Sequence, residues 1–255
     1  MNDLNLRKVF DTCCPPVPDP LFAQENNKPR GIRLKICGLR DPLQAGAISA
    51  MGVDAIGVVA VPGSPRFLPV KQRPGLFAAA QRYQPGCVGV LVVADPADQD
   101  FPDLEAGNGH QVVQLHGRES PHRCGELRRT LGPEVGLWKA LRIRSQEDLP
   151  LWEAYADVVD ALLLDAWVPN QLGGTGRSIP LEWLGAFAPT LPWWLAGGIS
   201  PETAESVLKK VEPFGLDASS GVEDQPGVKN LERVRHLVQA LTNAEIGRIA
   251  NPAEG

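Results

Sequence analysis

The sequence predicts a single α/β domain, a (β/α)8 barrel of the TIM type, with an irregular N-terminal extension. Three observations carry that reading. Eight short apolar runs rich in β-branched residues recur along the chain. A longer segment with helical signals follows each, and strands alternating with helices pair in parallel through right-handed crossovers. Several runs, such as Ile56-Gly57-Val58-Val59, are apolar on both faces, as suits a sheet covered on both sides. An open doubly wound sheet would more often carry a G-x-G-x-x-G or P-loop after its first strand, where this chain has Cys37-Gly38-Leu39-Arg40.

Residues 1–31 form the extension. Cys14-Pro15-Pro16-Val17-Pro18-Asp19-Pro20 suits neither a helix interior nor a central strand, and Asn26-Asn27-Lys28-Pro29 continues as linker. The barrel occupies 32–245, and a tail follows from 246 to 255. The strands read as Leu34–Ile36, Ala55–Ala60, Val88–Val93, Val112–Leu115, Gly136–Ala140, Ala161–Leu164, Trp193–Leu195 and Gly215–Ala218. The first helix opens with Asp41 as N-cap and Pro42 at its first position, and it presents Leu43, Ala47 and Ala50 on one face. Ser200-Pro201 repeats that start signal before the seventh helix. Leu231, Val234, Val238 and Leu241 mark the last helix at helical spacing.

The 255 residues carry a formal charge of −5, without a dense Lys/Arg block, which argues against a general nucleic-acid binder. No apolar run reaches the roughly 18 residues that cross a bilayer, and the polar, Pro-rich start has no leader pattern. A cytoplasmic protein is expected. The five cysteines are irregularly spaced and include no C-x-x-C, so a disulfide framework is not expected. His116, His122 and Cys124 match no zinc spacing, and no metal is expected.

Barrel chemistry gathers at the C-terminal ends of strands, with phosphate often at the last loops. Cys37 ends the first strand, where Gly38 lets the backbone turn; a cysteine there is either a reactive thiol or a small packed residue. Asp165 closes the sixth run. It is a site carboxyl or a loop staple held by Arg142 or Lys139. Arg66, after Ser64-Pro65, offers a planar fork to a carboxylate or lies on the surface. His116 ends the fourth strand as a ligand-orienting group or a pocket wall. Asp217 repeats the Gly-x-Asp-Ala pattern of Asp54 and can be a strand-opening residue like it. Gly173-Gly174-Thr175-Gly176, Gly197-Gly198 and Ser219-Ser220-Gly221 supply bare N–H groups and hydroxyls on the last three loops, which together favour a phosphate site.

From about Leu34 to Val238 the chain resembles the phosphoribosylanthranilate isomerases of tryptophan biosynthesis. The resemblance rests on Lys35-Ile36-Cys37-Gly38, Ser64-Pro65-Arg66, Gln114-Leu115-His116-Gly117, Leu164-Asp165, Gly173 to Gly176, Leu195-Ala196-Gly197-Gly198 and Ser219-Ser220-Gly221-Val222-Glu223, in that order. It implies a cofactor-independent aldose–ketose isomerase that acts on a phosphorylated small molecule, as monomer or homodimer. It assigns Cys37 as general base and Asp165 as general acid, and Arg66 as anchor of the anthranilate carboxylate. It places Gly174, Gly197, Gly198, Ser219 and Ser220 at the phosphate, and His116 and Asp217 in the substrate site. A base of this kind acts as thiolate, so a lowered Cys37 pKa is expected, with Lys35 on the same strand face as the candidate cause. Gly57-Val58-Val59-Ala60 departs from the Gly-Phe-x-Phe frequent in the family. The related histidine-pathway isomerase uses two aspartates, and Cys37 speaks against it. A silent phosphate-binding barrel would not need Cys37 or Asp165.

Overall fold

The computed structural model describes residues 31–168 and 176–250. All eight expected strands form, and they close in sequence order into one parallel barrel: β1 (Arg33–Cys37), β2 (Ala55–Val59), β3 (Val88–Val93), β4 (Val112–Leu115), β5 (Gly136–Ile143), β6 (Ala161–Ala166), β7 (Trp193–Ala196) and β8 (Gly215–Ala218). The β1–β8 pairing, with Lys35 opposite Asp217, completes the ring. β5 runs past its expected end, Ala140, to Ile143; the charged Arg142 breaks the apolar run at that end.

Side chains alternate between two cores. The outer one packs residues such as Leu34, Ile36, Leu91 and Leu164 against the helices. The inner one is led by Val90, Val92, Trp138, Leu163 and Trp194. The Trp138 and Trp194 rings stack at 5.1 Å and fill the barrel interior. Gly215 makes room for them, since a Cβ there would fall 2.4 Å from the Trp194 ring. Lys35 and Cys37 share this inward face, as do Gln114, Asp165 and Asp217 by strand alternation.

The helices depart more from expectation. α1 (Pro42–Ser49) has the expected cap, with Asp41 accepting from the Leu43 amide. Its buried face is Ala45, Ile48 and Ser49, however, and Leu43 is 84% exposed. Gly46 decides this orientation: it lies against the ring of Tyr83 at the end of α2 (Arg73–Tyr83), and a Cβ would meet that ring at 2.8 Å. After β3 the only α-helix is the single turn α3 (Phe101–Leu104), and α4 (Pro121–Leu131) follows β4. After β5 and β6 come 3-10 segments, Gln146–Tyr155 and Leu181–Leu184. Pro150 lies inside the first and Pro180 caps the second, and proline withholds the amide an α-helix needs. α5 is short (Ala204–Leu208), because Pro201 to Thr203 form a turn instead of the expected first helical turn. α6 (Leu231–Ala250) runs past 245 into the stretch expected as tail. A hairpin not read from the sequence, β9 (Glu223–Gln225) and β10 (Val228–Lys229), precedes it and turns at Pro226-Gly227. Gly227 takes φ 83°, which suits the third position of such a turn. Residues 1–30 of the extension lie outside the described residues. Among those described, no helix is long and apolar enough to cross a membrane.

Candidate active site

The C-terminal ends of the strands surround a cavity that opens at the barrel mouth. Cys37, Arg66, Gln114, His116, Asp165 and Asp217 all line it. Gly176, Gly197, Gly198, Ser219, Ser220 and Gly221 form its other margin. The structure thus brings together every expected site residue except Gly174, which lies outside the described residues with Gly173 and Thr175.

Cys37 is the last residue of β1, and its sulfur points inward over β2. Gly57, its register partner, clears that space, since a Cβ there would fall 2.7 Å from Sγ. Below it lies Lys35, wholly buried, with Nζ 3.0 Å from Asp217 Oδ2 and 3.0 Å from Gln114 Oε1, and close enough to Cys37 for the two to interact electrostatically. Burial alone would lower the Lys35 ammonium, but Asp217 and Cys37 reverse that and raise it. The thiol does not follow the expected direction. Burial pushes Cys37 up, Asp217 adds to this, and the pull of Lys35 and Lys229 is too weak to reverse it. In the free protein the sulfur is held as thiol.

Across the mouth, Asp165 sits one residue before the end of β6 and is 4% exposed. It is not a staple for Lys139, which lies on the other face of β5 and pairs with Glu119 at 2.7 Å. Arg142 acts on Asp165 through its charge. His116 Nε2 lies 3.3 Å from Asp165 Oδ2 without the alignment of a hydrogen bond. His116 Nδ1 contacts Gln114 Nε2 at 3.0 Å. Asp217 is not a strand-opening residue: Asp54 opens β2 and ties Arg33 and the Leu34 amide, whereas Asp217 lies inside β8 facing the barrel axis. Its Oδ1 has no hydrogen-bond partner among the described residues.

Arg66 arches over β1, and Gly38 permits this, since a Cβ there would fall 2.5 Å from Arg66 Cδ. Its Nε and Nη2 donate to the two oxygens of Glu223 at 2.9 and 2.6 Å, which raises the guanidinium pKa. Buried Lys229 Nζ donates to the same carboxylate at 2.7 Å. Desolvation opposes the Glu223 charge, but Arg66 and Lys229 prevail and hold it low. The role of Glu223 and Lys229 was not assigned from sequence. Glu223 ends a quoted motif, and Lys229 carries no local signal.

The last loops approach one another closely. Gly197 and Gly198 take φ 87° and 70°, and a Cβ on Gly197 would strike the Arg177 carbonyl at 2.4 Å. A Cβ on Gly221 would strike the Ile199 carbonyl at 2.1 Å. Bare backbone of this kind can cradle a phosphate. The Ser219 hydroxyl is not offered to an anion; it donates to the Cys37 carbonyl at 3.1 Å and so ties β8 to the end of β1. His122 and Cys124 do not join His116: His122 is exposed beside Glu126, Cys124 is buried, and no metal-binding cluster occurs among the described residues.

Comparison with known proteins agrees with this geometry. The sequence model of the family described as N-(5'phosphoribosyl)anthranilate (PRA) isomerase matches residues 34–240. The N-(5'-phosphoribosyl)anthranilate isomerase of Thermosynechococcus vestitus is 44% identical over 215 residues, covering 84% of this chain and 91% of its own. The phosphoribosyl anthranilate isomerase structure from Thermus thermophilus superposes with TM-score 0.68 at 33% identity, over 83% of this chain and 99% of that one. Another isomerase structure, 26% identical with TM-score 0.67 over 83% and 99% of the two chains, is a complex with reduced 1-(o-carboxyphenylamino)-1-deoxyribulose 5-phosphate. On the match of residues 34–240 and on relatives aligned over most of both chains, this protein belongs to the N-(5'-phosphoribosyl)anthranilate isomerase family.

Proposed function

We propose that the chain converts N-(5′-phosphoribosyl)anthranilate to 1-(2-carboxyphenylamino)-1-deoxyribulose 5-phosphate in tryptophan biosynthesis, with Asp165 as general acid and Cys37 as general base. The observation that carries this assignment is the placement of one carboxyl and one thiol on different strands around one cavity, with Arg66 and the glycine loops at its edges. Asp165 donates a proton to the ribose ring oxygen as the C1′–O bond breaks, leaving a protonated Schiff base. The Cys37 thiolate removes the C2′ proton, and the electron pair flows into an enolamine. That enol then loses its hydroxyl proton while C1′ gains one, so the reaction is an isomerisation with no net change of atoms.

The binding groups divide by charge. Arg66 keeps guanidinium N–H groups beyond the two given to Glu223, and these suit the anthranilate carboxylate. Gly197, Gly198 and Ser220 line the end suited to the 5′-phosphate, with Gly174 assigned there by the resemblance. Ser219 serves that end through its backbone position while its hydroxyl holds Cys37 in place. One chain supplies all of these groups, so the site is complete in a monomer and in a homodimer alike. Cys37, Cys87 and Cys124 are all free thiols, which fits the expected cytoplasmic location.

The experiment is the decay of anthranilate fluorescence with freshly generated phosphoribosylanthranilate, run on the wild type, Cys37→Ser and Asp165→Asn. Rapid turnover by the wild type and a loss of at least about 100-fold in each variant is the expected result. Turnover that survives both substitutions removes the named acid and base. No turnover by the folded wild type removes the reaction.

A further inference from the structure

We infer that Lys35 and Gln114 are positioning residues that fix the donor–acceptor polarity of the pocket, holding His116 as the neutral tautomer with its proton on Nε2 and leaving Asp217 Oδ1 as a bare acceptor. The argument begins with the protons of one ammonium. Lys35 has three to donate and no lone pair, and its Nζ lies 3.0 Å from both Asp217 Oδ2 and Gln114 Oε1. Each partner must therefore accept. Gln114 accepts through Oε1, so its amide presents NH2 on the other side, toward His116 Nδ1 at 3.0 Å. Turning the amide over would set NH2 against the ammonium in a fully buried place. Nδ1 must then be the unprotonated nitrogen, and the ring proton lies on Nε2.

That proton points into the cavity beside Asp165, and it has no hydrogen-bond partner among the described residues. Asp217 Oδ1 is likewise unpartnered and buried, because Lys35 occupies only Oδ2. One unpaired donor and one unpaired acceptor thus lie buried on two residues that line the same cavity, a pattern that a polyol entering the site can satisfy. A hydroxylated sugar satisfies both, and its reacting end is then held beside Asp165. The charged groups around His116 are Asp165 from β6, with Arg142 of β5 acting on that carboxylate, and Lys35 and Asp217 reached through Gln114.

The catalytic consequence rests on the isomerase reading above, whereas the tautomer is read without turnover. The test is the 15N spectrum of wild-type protein labelled at histidine, with His116 assigned by its loss in His116→Asn, recorded between about pH 5 and 8. The expected signals are a bare Nδ1 and a protonated Nε2. A protonated Nδ1 overturns the inference. Gln114→Glu supplies the second arm. Its carboxylate accepts from Lys35 and from Nδ1–H, so Nδ1 should now carry a proton. The kcat/KM should fall about 100-fold, the scale of a misplaced site group, while Gln114→Met, which cannot donate to Nδ1, should release the preference for a bare Nδ1. Unchanged His116 signals in both variants also overturn it.

Discussion

Cys37 illustrates how a residue can be well placed yet poorly ionised. Its sulfur has Lys35 beneath it and Lys229 nearby, but burial outweighs both and the thiol is favoured. The reactive thiolate is then a minor form whose fraction grows about tenfold per pH unit below the raised value. Asp165→Asn isolates the thiol from the proposed acid. The residual kcat/KM of that variant should climb about tenfold per unit from neutrality upward. A flat residual rate would show that the thiol is not the base. Cys37, Arg66 and Asp165 were legible in the sequence because each stands at or just beyond a strand end. The partners that set their chemistry were not. Gln114 is 79 residues from Lys35, and Glu223 is 157 from Arg66, so only barrel closure brings them together.

At the scale of elements, the β3 and β4 loops are locked by one buried carboxylate. Glu119 Oε1 accepts from the amides of Asp95 and Gly117, and Oε2 accepts from Lys139. Lys139 also donates to the Gly117 carbonyl at 3.0 Å, so β5 holds the loop that follows His116. Lys139→Met leaves a buried, unpaired carboxylate, and stability should fall by about 3–5 kcal/mol in urea unfolding. A loss below about 1 kcal/mol would mean that the pair is structurally idle. The strands were legible from apolar runs, except that Arg142 disguised the length of β5. The helices were less so. Proline content after β3, β5 and β6 weighs more than the alternation rule, and the outward turn of Leu43 depends on Gly46 meeting Tyr83, a contact between two helices.

The described thiols belong to both cores, Cys87 and Cys124 to the outer one and Cys37 to the inner one. Burial pushes Cys87 and Cys124 up to about 12. An unfolded chain releases those protons near pH 8.5, so above that value the unfolded state binds fewer protons than the native one. Their contribution to stability is complete below about pH 8.5 and is lost as pH rises toward 12, at up to about 1.4 kcal/mol per unit for each thiol. The urea midpoint should decline through this window, and Cys87→Ala with Cys124→Ala should flatten the decline. The barrel class itself was legible because it needs only eight repeats of one pattern, while the two-sided core that closes it depends on side-chain volumes. The paired indoles of Trp138 and Trp194, set at 5.1 Å and 28°, belong to that inner core. Two like chromophores so close share their excitation, and the sign and strength of their coupled near-ultraviolet dichroism depend on their mutual orientation. The barrel therefore contains its own optical gauge, which reads the closure of β5 against β7 without any label and separately from helix content.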